Sequence, residues 1–239
     1  MFSIFLLSFL LIATLLMLSV INRVQEQRRA RRFKQRRLRL RIADLEEIFA
    51  CLDQTVPNRV IAKHINDQIL EYTQDVLALE SGDTEHIQSI LQNLEARGED
   101  LTSAREPKTT SYQRDSDLQI AQARFYINEA GKVLRQRVTQ GLLAEEEFEI
   151  YREELGWAHL MIGVVSLIAQ GNKAIARGDL FSAHAYYSKA QHQLMESAHP
   201  DPRRLRMIRE LGEIMSGNRD AFSTDLLPHE ALPDSDALL

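Results

Sequence analysis

The chain has 239 residues, with 29 Lys and Arg against 34 Asp and Glu, for a net charge of -5. Its single cysteine, Cys51, excludes an intrachain disulfide framework. Ten glycines and six prolines, in a chain rich in Ala, Leu, Gln, Glu and Arg, exclude a strand-built fold and predict an all-α one. The modest net charge conceals a split. Residues 22–41 hold nine Arg, one Lys and one Glu, which leaves 19 basic and 33 acidic residues for the rest of the chain. The short flank is therefore strongly positive and the remainder strongly negative, a contrast more informative than the total.

The first element is apolar. Residues 2–21 carry no charge, and their only polar members are Ser3, Ser8, Thr14 and Ser19. Twenty residues at about 1.5 Å each match a hydrocarbon core of roughly 30 Å. No basic residue precedes the run, and no small-residue cleavage site follows it, so the expectation is an uncleaved transmembrane anchor rather than a signal peptide. Ten basic residues follow the run directly. The positive-inside bias then places the N-terminus outside and the C-terminal domain in the cytoplasm, most simply at a bacterial inner (plasma) membrane, single-pass. Within the flank, Arg28, Arg29, Arg31, Arg32, Arg36 and Arg37 are candidates for anionic headgroups. Nucleic acid is not expected as a partner, because Phe33 is the only ring in the stretch and the run abuts the membrane.

From 22 to 53 the chain lacks Gly and Pro, which predicts one juxtamembrane helix. Leu38, Ile42, Leu45, Phe49 and Leu52 form a short a/d seam that can dock on the domain or pair with another copy in a coiled coil, leaving a homo-oligomer open. Residues 54–98 read as a helical hairpin. Its second helix is capped by Asp83 and stopped at Gly98. Residues 99–117 are polar and aperiodic, and are expected to be a mobile loop.

Residues 118–217 read as a helical domain. One helix ends at Gly141, the next is expected to break at Gly156, and Trp157 to Arg177 turns at Gly178-Asp179 into Leu180 to Glu196. The apolar run Leu155 to Ala169 is short for a span and is read as a buried core helix. Asp201 and Pro202 open a final helix that Gly217 closes. Residues 218–239 are expected to be an acidic, disordered tail.

Within Leu167 to Ala190, Gly171 stands four residues after Leu167, Gly178-Asp179 marks a turn, and Ala183, Tyr187 and Ala190 follow at spacings of 4 and 3. This stretch resembles a tetratricopeptide hairpin, in which small residues allow close helix approach and a ring fills the gap. It departs from that pattern at Leu167, Gln170, Ala174 and Met195, and covers 24 of 239 residues. The resemblance implies a stack of antiparallel hairpins with a protein-binding groove, and His184, Tyr186 and Lys189 are the candidate partner surface.

No phosphate loop, nucleophile elbow, CxxC pair or HExxH occurs, so neither catalytic nor cofactor-binding residues are assigned and no enzyme is expected. His192, Glu196 and His199 are close enough in sequence to consider for a metal, but exposed polar residues near a helix end are far commoner, and no metal is assigned. The chain thus reads as a membrane-anchored adaptor or scaffold. The alternative is a self-associating structural membrane protein that pairs through the seam from Leu38 to Leu52, with no groove for a heterologous ligand.

Overall fold

In the computed structural model one helix, α1, runs unbroken from Phe2 to Thr55, 54 residues and about 80 Å. Nothing between Phe2 and Val56 is Gly or Pro, and Pro57 follows the helix end. The structure describes residues 2–80, 82, 84–103, 110–223 and 226, with side chains at Met17 and from Asn22 onward, Val24 apart. Six more helices follow: α2 (Arg59–Leu79), α3 (Glu85–Thr102), α4 (Asp117–Thr139), α5 (Glu145–Ala176), α6 (Leu180–Glu196) and α7 (Arg203–Met215). Among the described residues there is no strand. Also among them, no helix is long and apolar enough to cross a membrane. The side chains of the expected anchor, 2–21, lie outside the described residues apart from Met17.

The helices neighbour one another in the spatial order α3, α2, α1, α4, α5, α6, α7. The C-terminal part of α1 therefore sits between two blocks. Leu45 and Leu52 are fully buried and Ile48 nearly so, against α2 and α4 of the same chain. Phe49 lies under Arg97 of α3, whose guanidinium is 4.0 Å from the ring centroid and donates to both Glu46 carboxylate oxygens at 2.9 and 3.0 Å. The seam from Leu45 to Leu52 is thus packed inside the domain, with Ile42 partly buried against it and Leu38 only half-buried above. The coiled-coil expectation is corrected here, since Leu45 presents no surface to a second copy.

Several sequence-based boundaries are also corrected. Helix α3 passes through Gly98 to Thr102. A Cβ there would lie 3.2 Å from Asn66 Nδ2, so the glycine makes room for buried Asn66 to donate to Leu94 O at 2.9 Å. Thr84 occupies the N-cap position, and the expected cap Asp83 lies outside the described residues. The expected mobile loop is partly core. Tyr112 is buried, Ser111 N–H donates to Gln54 O at 2.8 Å, and Arg114 N–H donates to the buried Ser166 Oγ at 2.8 Å.

Gly156 does not break its helix, and α5 is continuous over 32 residues. Its middle is apolar on every face, and Ala158, Met161, Ile162, Val164, Leu167 and Ile168 are all buried. Such a helix needs neighbours all round. It has α4 and α6 as its principal ones. Glu145, Glu146 and Glu147 occupy its first turn, where the macrodipole favours them.

Gly141, Gly178 and Gly217 all have φ near +70°, and each closes a helix in a Schellman arrangement, as in the Asp179 N–H to Ala174 O and Gly178 N–H to Ile175 O bonds. The start of the tail is also corrected. Leu226 is buried, and Ser223 gives Glu210, itself 2% exposed, two hydrogen bonds of 2.9 and 2.8 Å. Burial of that carboxylate requires such partners. Residues 227–239 lie outside the described residues.

Candidate functional site

The α5–α6 hairpin packs as its small residues dictate. Gly171, Ala183 and Ala190 are buried with Tyr187 between the helices. A Cβ on Gly171 would fall 2.5 Å from Tyr187 Cε1, so only glycine admits the ring in this place. The ring is fixed by its hydroxyl, which donates to Asn172 Oδ1 at 2.5 Å. Burial pushes the Tyr187 hydroxyl pKa up. The rest departs from a tetratricopeptide unit. That repeat fits two helices into about 34 residues, whereas α5 alone takes 32.

This packing leaves a groove across α5, between α4 and α6. One cleft of about 330 Å³ is lined by Ile120, Ala121, Arg124, Gly163, Leu167, Lys189 and Gln193. A second, lined by Ser116, Gln170, Lys173, Arg177 and Tyr186, continues it, and Asp117 borders both. Arg124 lies on the floor. Gly163 is its seat, since a Cβ there would fall 1.8 Å from its terminal nitrogen. The guanidinium donates to His159 O at 3.1 Å and to Gln193 Oε1 at 2.9 Å, both neutral acceptors. Half-buried, it faces no carboxylate at ion-pair distance among the described residues, and its desolvation lowers its pKa from the ordinary arginine value. Burial, then the nearby Arg124 charge, lowers the His159 pKa.

Of the expected partner surface, Tyr186 is half-buried in the groove and Lys189 is exposed along it. His184 is exposed, but helical spacing puts it on the other flank of α6, beyond Tyr187. The three residues therefore do not form one surface. Arg28, Arg29, Arg31, Arg32, Arg36 and Arg37 are all exposed and distributed round the whole circumference of α1, on a stem that buries no described side chain between Asn22 and Lys34. The stem meets the domain where Gln35 and Arg39 reach Glu80 at 3.4 and 3.3 Å.

Sequence reading missed Arg124, Gly163 and Gln193. The one available signal was a glycine inside the apolar run of α5, where it costs about 1 kcal/mol relative to Ala and so demands a packing reason. It also missed a polar cluster between α2 and α4. Arg137, 5% exposed, donates to Glu71 Oε1 at 3.0 Å and lies 4.0 Å from Asp67 Oδ2. His64 faces it, and its pKa is lowered by burial first and then by the Arg137 charge. The cluster ties α2 to α4.

The residues considered for a metal are not brought together. His192 pairs with Glu196 at 3.0 Å. The His199 ring packs on Trp157, accepts from Asp201 N–H at 3.2 Å through Nδ1, and meets Glu153 O at 2.9 Å through Nε2, so both nitrogens are engaged. Among the described residues no group of three or more His, Cys, Asp or Glu side chains could hold a metal ion. Cys51 is buried in the core, and burial raises its thiol pKa. No protein-family model, curated protein or solved structure matches the chain.

Proposed function

We propose that the chain is a membrane-anchored adaptor that holds another protein in the groove between α4 and α6, on the cytoplasmic side of a bacterial inner membrane. The observation that carries this reading is the open groove itself. Its floor carries apolar atoms of Ile120 and Leu167 with the Arg124 guanidinium seated on Gly163, Lys189 lies along its side, and α5 runs beneath it. Such a surface suits an extended or helical segment of a partner rather than a small substrate, because no enclosed cavity surrounds it.

Membrane attachment rests on the sequence. Fourteen of the twenty residues 2–21 are Leu, Ile, Phe or Val. Each favours insertion by about 0.3–0.6 kcal/mol at the helix centre. The stem arginines sit where an anionic leaflet attracts them, at about 1 kcal/mol each near the surface. That attraction fades over a screening length of about 8 Å, so the first turns carry most of it. The remainder of the stem is a spacer that holds the acidic domain off a like-charged surface.

The test is affinity capture from detergent-solubilised membranes, comparing the chain with an Ala121→Trp variant. Ala121 is exposed at the groove, and an indole there fills the cleft without touching the core. The expected result is a heterologous protein recovered with the parent and lost with the variant. Identical recoveries with both would refute the groove as the binding surface.

A further inference from the structure

We infer that the groove recognises an acidic segment of its protein partner, one that alternates carboxylate and apolar side chains, with Arg124 and Lys189 as the groups that read the carboxylates. This rests on the adaptor reading above and specifies its ligand.

Beyond the stem the chain is strongly acidic, and most of its described cations are spent on neighbours: Arg97 on Glu46, Arg137 on Glu71, Lys63 on Asp67 and Arg203 on Asp201. Arg124 and Lys189 in the first cleft differ, as does Arg177 in the second, since each lines the groove with no carboxylate at ion-pair distance among the described residues. Arg124 is the most telling. A half-buried guanidinium usually has an anionic partner, because its desolvation is otherwise offset only by neutral acceptors. Here it is held in place by His159 O and Gln193 Oε1 on a seat that exists only because residue 163 lacks a side chain. Those two acceptors engage Nε and one terminal nitrogen, leaving the second terminal nitrogen for a ligand. The guanidinium is thus pre-organised, and little side-chain entropy is lost when a carboxylate arrives.

The class of ligand follows from what surrounds the cations. The floor atoms of Ile120, Ala121 and Leu167 are apolar, which suits side chains interleaved with the carboxylates. Asp117 borders both clefts, and in the second Asp115 already neutralises Lys173 at 2.9 Å. A continuous polyphosphate would meet these carboxylates along its whole length, whereas a peptide can set its carboxylates at Arg124 and Lys189 and neutral side chains beside Asp115 and Asp117. Peptide is therefore favoured over nucleic acid.

The experiment uses the full chain in neutral detergent micelles and a fluorescein-labelled octapeptide alternating Glu and Leu, followed by anisotropy. The controls are a Lys–Leu octapeptide and an eight-nucleotide oligothymidylate. Three variants are compared: Lys189→Gln, the double Arg124→Gln/Lys189→Gln, and a stem variant with Arg28, Arg29, Arg31, Arg32, Arg36 and Arg37 changed to Gln. Each lost cation contact weakens binding by roughly three- to tenfold, so the double variant should fall by about tenfold or more. The stem variant should stay within about threefold of the parent. Lys189 is exposed, so its single change leaves the fold intact and keeps the test decisive if the double variant unfolds.

The inference is overturned if the Glu–Leu peptide does not bind, if the groove variants bind like the parent, if only the stem variant loses binding, or if the oligothymidylate binds the groove as well as the peptide. Capture of one cellular partner by parent and double variant alike would leave the adaptor reading standing and remove the acidic ligand. Peptide binding that needs Arg124, without any partner captured from membranes, would do the reverse.

Discussion

Three glycines on α5 are separated by seven and eight residues, and alanine should have a different effect at each. At Gly171 the new Cβ would stand 2.5, 2.8 and 3.0 Å from three carbons of the Tyr187 ring. That ring is 4% exposed and tethered to Asn172, so it cannot swing away without losing its hydrogen bond. Overpacking of this kind costs about 1–3 kcal/mol, against a helix-propensity gain of at most about 1 kcal/mol. Gly171→Ala should therefore destabilise the domain by up to about 2 kcal/mol. At Gly163 the collisions are with the guanidinium of Arg124 and with Gln193 Oε1 at 2.6 Å, both the ends of flexible chains that can lift into the groove. Arg124 gives up two hydrogen bonds worth about 1 kcal/mol each and regains solvation and helix propensity, for a net change within about 1 kcal/mol. At Gly156 the nearest atom is His199 Cδ2 at 3.4 Å, an ordinary contact, so Ala should stabilise by up to about 1 kcal/mol. The assay is a urea titration in detergent followed by fluorescence of Trp157, the chain's single tryptophan, buried on the same helix between His199 and Arg203. The predicted order of midpoints is Gly156→Ala highest, then parent and Gly163→Ala together, then Gly171→Ala. A Gly171→Ala protein as stable as Gly156→Ala would refute the packing account of the hairpin.

Other consequences can be measured in the same format. Leu45→Ala removes a side chain with no exposure and should cost about 2–5 kcal/mol, while sedimentation velocity shows the parent's oligomeric state; dissociation without loss of stability would restore the seam as a pairing surface. His64 and His159 both have pKa values lowered by burial from an ordinary value of 6.5. The unfolded chain then takes up protons that the folded chain refuses as pH drops below about 6.5. Stability should be level above that pH, fall below it, and flatten again once the folded-state values are passed, and a His64→Asn/His159→Asn protein should show a shallower fall. Arg137→Met leaves Glu71 and Asp67 free to rehydrate at their exposed edges, so its cost should be on the order of 1–2 kcal/mol rather than the larger penalty of a stranded buried charge. Leu11→Arg places a charge at the middle of the proposed anchor at about 2.5–3.5 kcal/mol, and should shift much of the protein into the alkaline-carbonate supernatant.

Much of the helix layout was legible because its punctuation is local. Gly141, Gly178 and Gly217 adopt positive φ and end helices on backbone grounds alone. What was not legible is where tertiary neighbours overrule a local signal. Gly98 and Gly156 look like stops, yet both helices continue. At Gly98 the missing Cβ admits Asn66, and at Gly156 the ring of His199 packs over the backbone. The 110–116 segment has no periodicity, yet Tyr112 finds a buried place and Ser166 supplies an acceptor from 52 residues away. The groove was half visible. Tyr186 and Lys189 follow from α6 spacing, but Arg124 gains its meaning only when α4 lies beside α5 and Gly163 turns out to be its seat.

The most direct test of the central claim is photocrosslinking in living cells from a photoreactive residue at position 186, inside the groove, set against the same residue at 184, on the opposite flank of α6. A partner held in the groove gives one reproducible heterologous adduct in the membrane fraction from position 186, absent from 184 and lost on Ala121→Trp. Self-adducts alone, or the same adducts from both positions, would contradict a partner-binding groove.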